Sequence, residues 1–210
     1  MKRYSLLLLF CICALGIKAQ DMKTLFTNMP DSYLPQLETA WRKDLIDLFL
    51  AGKEARLQNT MTGYSRLLKL TDDYLLLQVT ERSAVEMKRL PLINHTYIIC
   101  MIVTVEGPVA DSRVAFYTTE WQALESSNLF TPVAADWFIA ENADRDSDAC
   151  KDALARLDMD LIKYELSSDA QTLTAVYTTP LYLSEQERKK ILPFLKDVPK
   201  VYTWDKSSFR

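Results

Sequence analysis

The sequence predicts an α+β fold: an antiparallel β-meander of about five strands, then a second hairpin, with helices packed on the sheet. Three observations carry this. Apolar residues recur at three- and four-residue spacing between Leu37 and Ala51, the period changes to two from Thr62 to Thr119, and short helical and strand-like stretches alternate after Trp121.

The first helix is predicted from Leu37 to Ala51. Leu37, Trp41, Leu45, Leu48 and Phe49 share one face, and Gly52 stands where a helix commonly ends in a left-handed residue. Five strands follow, over 63–70, 74–81, 84–90, 95–106 and 113–118. Thr71-Asp72-Asp73 and the stretch from Gly107-Pro108 to Ser112 supply turns between them. The connections are short, so neighbouring strands pair antiparallel. In 97–105 both alternating sets are apolar: Tyr97, Ile99, Met101, Val103 and Val105 on one side, Ile98, Cys100 and Ile102 on the other. Such a strand is central and covered on both faces.

Helices are predicted over 133–141 and 147–157, the second capped by Ser147, with Lys151 and Arg156 towards its end. Residues 160–166 and 172–178 form the second hairpin around Ser167-Ser168-Asp169. Ser184 and Glu187 make a capping box, and the helix it opens weakens at Pro193. A short strand over 201–204 closes the chain.

Residues 1–19 read as an export signal rather than part of the fold. Lys2 and Arg3 precede an apolar run from Leu6 to Leu15, too short for a spanning helix, and Ala19 offers a small residue for cleavage before Gln20. A lipid anchor at Cys11 or Cys13 is disfavoured, because Phe10 and Ile12 precede them where a small residue is needed. The expected organisation is a cleaved signal over 1–19, an irregular lead-in over 20–36 and a single α+β domain over 37–210. The expected location is the periplasm or the extracellular space, with no transmembrane anchor.

Removing the signal leaves 22 basic against 28 acidic residues, a charge near −6, which argues against nucleic acid as a partner. Only Gly52, Gly63 and Gly107 remain as glycines, too dispersed for a phosphate-cradling loop, and no cofactor is implied. His95 is the only histidine. Its odd offset from Cys100 along one strand puts the two on opposite faces, so they form no local Cys–His pair.

Three sets of site candidates remain. Cys100 and Cys150 are the only thiols left after cleavage. They are candidates for a disulfide worth about 4 kcal/mol in the chain-entropy view, or for two separate buried thiols. Asp144, Asp146 and Asp148 repeat the opening of a calcium loop, but Ala149 and Ala155 stand where the glycine and the closing glutamate belong. Trp121, Trp137 and Trp204 lie in irregular stretches and are candidates for surface aromatics that stack on a ligand.

Four segments, LTDDYLLLQVT (70–80), VEMKRLPLIN (85–94), GPVADSRVAFY (107–117) and MDLIKYELSSDAQTLTAVYTTPLYLSEQERKKILPFL (159–195), resemble a domain-of-unknown-function family. Its members are uncharacterised exported proteins from anaerobic gut-dwelling Gram-negative bacteria. The resemblance implies export and one full-length domain, and transfers no catalytic residue.

The leading expectation is an exported, non-enzymatic binding or accessory protein of the cell envelope, its partner an envelope protein, a glycan or a small ligand. The rivals are a secreted hydrolase built on Asp and Glu, and a small-molecule carrier with an enclosed apolar cavity of about 300 Å³ or more.

Overall fold

The computed structural model describes residues 20–210, and the predicted signal lies outside the described residues. The architecture is α+β, in three layers. Two helices cover one face of a seven-stranded antiparallel sheet, and a three-stranded antiparallel sheet covers the other.

The helical layer begins inside the expected lead-in, which is a correction. Helix α1 (Met22–Asn28) is capped by Asp21, whose carboxylate accepts from Thr24 N at 2.8 Å. A 3₁₀ turn (Asp31–Tyr33) follows. Met22, Leu25, Phe26 and Met29 are buried at i, i+3, i+4 and i+7. That stripe is legible in the sequence, but Pro30 and Pro35 cut it short before a second repeat can reveal the period.

Helix α2 (Thr39–Leu50) buries Leu45 and Ile46 against the sheet, with Trp41, Leu48 and Phe49 half-buried beside them. It ends as predicted. Gly52 takes φ +67°, Lys53 N donates to Leu48 O and Gly52 N to Phe49 O, so a left-handed residue satisfies the last free carbonyls.

The large sheet runs in sequence order: β1 (Arg56–Gln58), β2 (Tyr64–Leu70), β3 (Tyr74–Thr80), β4 (Ser83–Pro91), β5 (Tyr97–Glu106), β6 (Ala110–Thr118) and β7 (Ala123–Leu124). The five predicted strands are β2 to β6. The two edge strands, β1 and β7, are the correction to the strand count: with three and two residues, neither shows an alternation. Strand β5 is covered on both sides as its sequence requires. Ile99 and Met101 face the helices, while Ile98, Cys100 and Ile102 face the small sheet. A register shift between Leu67 and Lys69 leaves Leu68 half-exposed and re-aims Lys69 away from the helices.

Beyond β7 the predicted helix over 133–141 is only a 3₁₀ turn (Ala135–Phe138), flanked by extended backbone. Pro132 and β-branched Val133 open that stretch, and its apolar residues do not repeat on one face. Helix α3 (Asp148–Leu154) is capped by Ser147, which accepts from Cys150 N at 3.3 Å. The small sheet has the order β10–β9–β8, with β8 (Ile162–Leu166), β9 (Thr172–Tyr177) and β10 (Lys200–Thr203). Between β9 and β10 lie the single turn α4 (Thr179–Tyr182) and helix α5 (Glu185–Ile191). Ser184 accepts from Glu187 N at 3.3 Å and donates its hydroxyl to Glu187 Oε2 at 2.8 Å. At Pro193 the helix gives way to a 3₁₀ turn (Leu192–Phe194).

The small sheet is bolted to the large one by side chains. Strand β8 pairs with β9 on one side only, and three of its N–H groups point the other way. Ile162 N donates to Asp111 Oδ1 at 3.2 Å, Tyr164 N to Ser112 Oγ at 3.1 Å and Leu166 N to Glu86 Oε2 at 2.9 Å. Thus β4 and β6 present acceptors to an edge that would otherwise hold unpaired donors in the core. At the β8–β9 turn, Lys69 Nζ reaches Ser168 Oγ at 2.6 Å. Fully buried Lys88 donates to Ser168 O at 3.0 Å and pairs with Asp73 Oδ2 at 3.1 Å.

Candidate functional site

The structure separates the site candidates. Trp121 and Trp204 are not surface residues, which is a correction. Trp121 is buried with its Nε1 donating to Leu25 O at 3.0 Å and its ring against Tyr33 and Tyr117. Trp204 donates to Pro91 O at 2.7 Å and packs on Phe209. Each indole thus fills a layer of core while its N–H finds a carbonyl.

Asp144, Asp146 and Asp148 form the turn into α3, where Asp144 Oδ1 accepts from Asp146 N at 3.1 Å. Among the described residues no three His, Cys, Asp or Glu side chains converge where a metal ion could sit. Cys100, on β5, and Cys150, on α3, are both buried as free thiols. His95 is exposed in the β4–β5 turn at φ +63°.

Trp137 is the aromatic candidate that reaches solvent. It lies in the 3₁₀ turn beside Phe138, half-buried, with Lys196 Nζ 4.4 Å and Lys200 Nζ 5.4 Å from its ring centroid. Backbone pairing brings these distant residues together. Ile139 bridges Leu195, Lys196 N donates to Phe138 O at 2.7 Å, and Ala140 N to Phe194 O at 2.8 Å. Phe138 in turn stacks on Tyr177 of β9, with centroids 5.1 Å apart and planes 12° from parallel.

This junction floors an open groove of about 270 Å³ between the end of β9, α4, α5 and the segment leading into β10. Leu181 of α4, Leu192 and Val198 form its walls, at 55%, 52% and 55% exposure. Val201 is also exposed on the neighbouring strand, and Tyr182 on α4. Four exposed apolar side chains of the C-terminal third, Val176, Leu181, Leu192 and Val198, thus line one concavity. Scattered exposed apolar residues are ordinary, whereas a contiguous set around a depression marks a surface for binding.

The rim is cationic. Arg188 and Lys196 line the groove together with one acid, Asp197, and Lys189 and Lys190 extend from the same end of α5. From 188 to 200 the chain carries five Lys and Arg against the single Asp197, in a protein whose net charge is −3. Lys196 reaches Glu141 at 3.4 Å and Lys189 reaches Glu185 at 2.6 Å, while Arg188 and Lys190 form no ion pair among the described residues.

The carboxyl that burial pushes above its usual range is Glu86, far from this rim. Its oxygen accepts from Tyr74 Oη at 3.0 Å as well as from Leu166 N, so both contacts are internal to the core. A roomier cleft of about 620 Å³ opens between β6 and β8, but Asp111 and Ser112 on its wall are already engaged in holding β8.

Sequence reasoning missed the groove residues, although a signal was present. In Pro180–Lys200 the apolar residues exceed one helical stripe, and the cations of that segment stand out in an acidic chain.

The chain belongs to the family described as "Protein of unknown function (DUF3256)", whose family model matches residues 14–209. It is similar in structure to a domain of an uncharacterized protein from Porphyromonas gingivalis W83. The TM-score is 0.82 at 30% sequence identity, covering 92% of this chain and 99% of that one. No curated protein matches the chain. Among the described residues no helix is long and apolar enough to cross a membrane.

Proposed function

We propose that this member of the DUF3256 family is an exported, non-enzymatic accessory protein of the bacterial cell envelope. It binds a protein partner through the groove between β9, α4 and α5. The carrying observation is the cluster of half-exposed Leu181, Leu192 and Val198 around one concavity with a cationic rim. Burying three such side chains against a partner is worth about 1.5–3 kcal/mol each, before the cost of association.

Two features favour binding over catalysis. The groove wall is apolar, and the carboxyl with a raised pKa is engaged as a strut between the two sheets rather than in a cleft. The groove is also open and smaller than the cavities that enclose small ligands, which favours side chains projecting from a protein surface.

A photo-crosslinking amino acid at Leu192, introduced in the producing cell, tests the reading. It should yield a discrete protein adduct, and the same probe at exposed Leu50 on the helical layer should not. Equal labelling at both positions, or no adduct at Leu192 together with turnover of an envelope substrate, would refute it.

A further inference from the structure

Resting on that reading of the groove, we infer that its partner presents an acidic, apolar peptide segment: one or two leucine-like side chains flanked by Asp or Glu.

Volume and charge together select this chemistry. A space of about 270 Å³ admits a few side chains rather than a folded surface or a long acyl chain. The walls offer those side chains no hydrogen-bonding demand, since Leu181, Leu192 and Val198 are aliphatic. Specificity therefore falls to the rim. Of the charged side chains lining the groove, Arg188 forms no ion pair among the described residues, Lys196 reaches the highly exposed Glu141 and stands with Lys200 over the Trp137 ring, and Asp197 is the single acid. An incoming carboxylate meets two lining cations against that one acid, with Lys200 adding positive charge beside the Trp137 ring.

The rest of the chain is strongly acidic, so an acidic partner is steered to this patch and repelled elsewhere. In a two-fold contact a second copy of this chain would set its own basic segment against this one, like charge facing like charge. An anionic lipid surface shares the charge logic, but it takes up apolar side chains that project from a surface, whereas these line a depression.

A random-peptide display library panned on the full chain, with the Leu192→Glu protein for counter-selection, tests the inference. The groove-dependent binders should combine Leu, Ile or Phe with Asp or Glu. Arg188→Glu should weaken them about tenfold at low salt and much less at high salt, since rim charges act through screened attraction. Arg188 lies on the groove rim outside the core, so this variant keeps the test meaningful even if Leu192→Glu folds poorly.

Groove-dependent binders that are neutral or basic would overturn the inference, as would the absence of any. So would flotation of the protein with phosphatidylglycerol vesicles that is lost in Leu192→Glu. If the Leu192 crosslink still forms in cells while the selected peptides lack acids, the groove remains the interface and only its acidic chemistry falls.

Discussion

Replacing Glu86 tests the joint between the two sheets, which holds the groove-bearing layer in place. Glu86 is 9% exposed, and one carboxylate oxygen accepts from Leu166 N at 2.9 Å and Tyr74 Oη at 3.0 Å. Glu86→Ala removes the acceptor of both. A stranded buried donor costs about 1–3 kcal/mol, and the lost side-chain volume adds to it, so the variant should lose about 3–5 kcal/mol. With a urea m-value of about 2 kcal/mol/M, the midpoint should fall by roughly 1.5–2.5 M.

Glu86→Gln keeps an acceptor of the same shape and removes the ionisation. Burial, reinforced by the nearby Glu165, holds the native carboxyl above its usual range, against the pull of its two donors and of Lys163. The folded protein thus retains this proton to higher pH than the unfolded chain, where Glu titrates near ~4.3. The stability contributed is fully present below that value and is lost as pH rises through the raised native pKa. The glutamine variant lacks this loss, so its stability relative to the parent should improve between pH 4 and pH 8. Urea titrations followed by tryptophan fluorescence at both pH values give the comparison. A cost under about 1 kcal/mol for Glu86→Ala, or a Glu86→Gln effect independent of pH, would refute the joint as described.

Other perturbations reach the remaining layers. Arg42 is fully buried in α2 and donates to Leu37 O at 2.7 Å, to Met29 O and to Thr39 Oγ1 at 2.9 Å. Arg42→Met, which keeps the stem but strands the two carbonyls, should therefore cost about 2–4 kcal/mol by denaturant titration. Cys100 and Cys150 are buried as free thiols, and burial pushes Cys100 well above the ordinary thiol range. In protein prepared without residues 1–19, reaction with a thiol reagent at pH 8 should thus be slow and rise to two equivalents only on unfolding, whereas a mass showing a bridge would contradict the structure. Leu192→Glu changes a half-exposed position and should alter stability by no more than about 0.5 kcal/mol, while abolishing the adduct formed by a photo-crosslinking residue placed at Leu181 in the same groove.

Local patterning made much of the fold readable. The double-sided apolar run of β5 announced a strand covered on both faces, and it separates the helical layer from the small sheet. Ser147 and Gly52 marked helix ends because capping is a matter of a few neighbouring residues. Helix α1 escaped despite its stripe, since seven residues between a cap and a proline show too little of the period. The tryptophans misled for a different reason: Trp121 and Trp204 lie outside regular elements, yet long-range contacts bury them.

Composition and periodicity by themselves determined the class of the protein and the order of its main strands, because these depend on neighbours along the chain. Tertiary structure alone decided that Glu86, Ser112 and Asp111 serve the edge of β8, and that Phe138, Tyr177 and Leu192 meet in one groove. Those partners are tens of residues apart. Their meeting is set by how three layers stack, and the free energy of that stacking is spread over many small contacts that no short segment encodes.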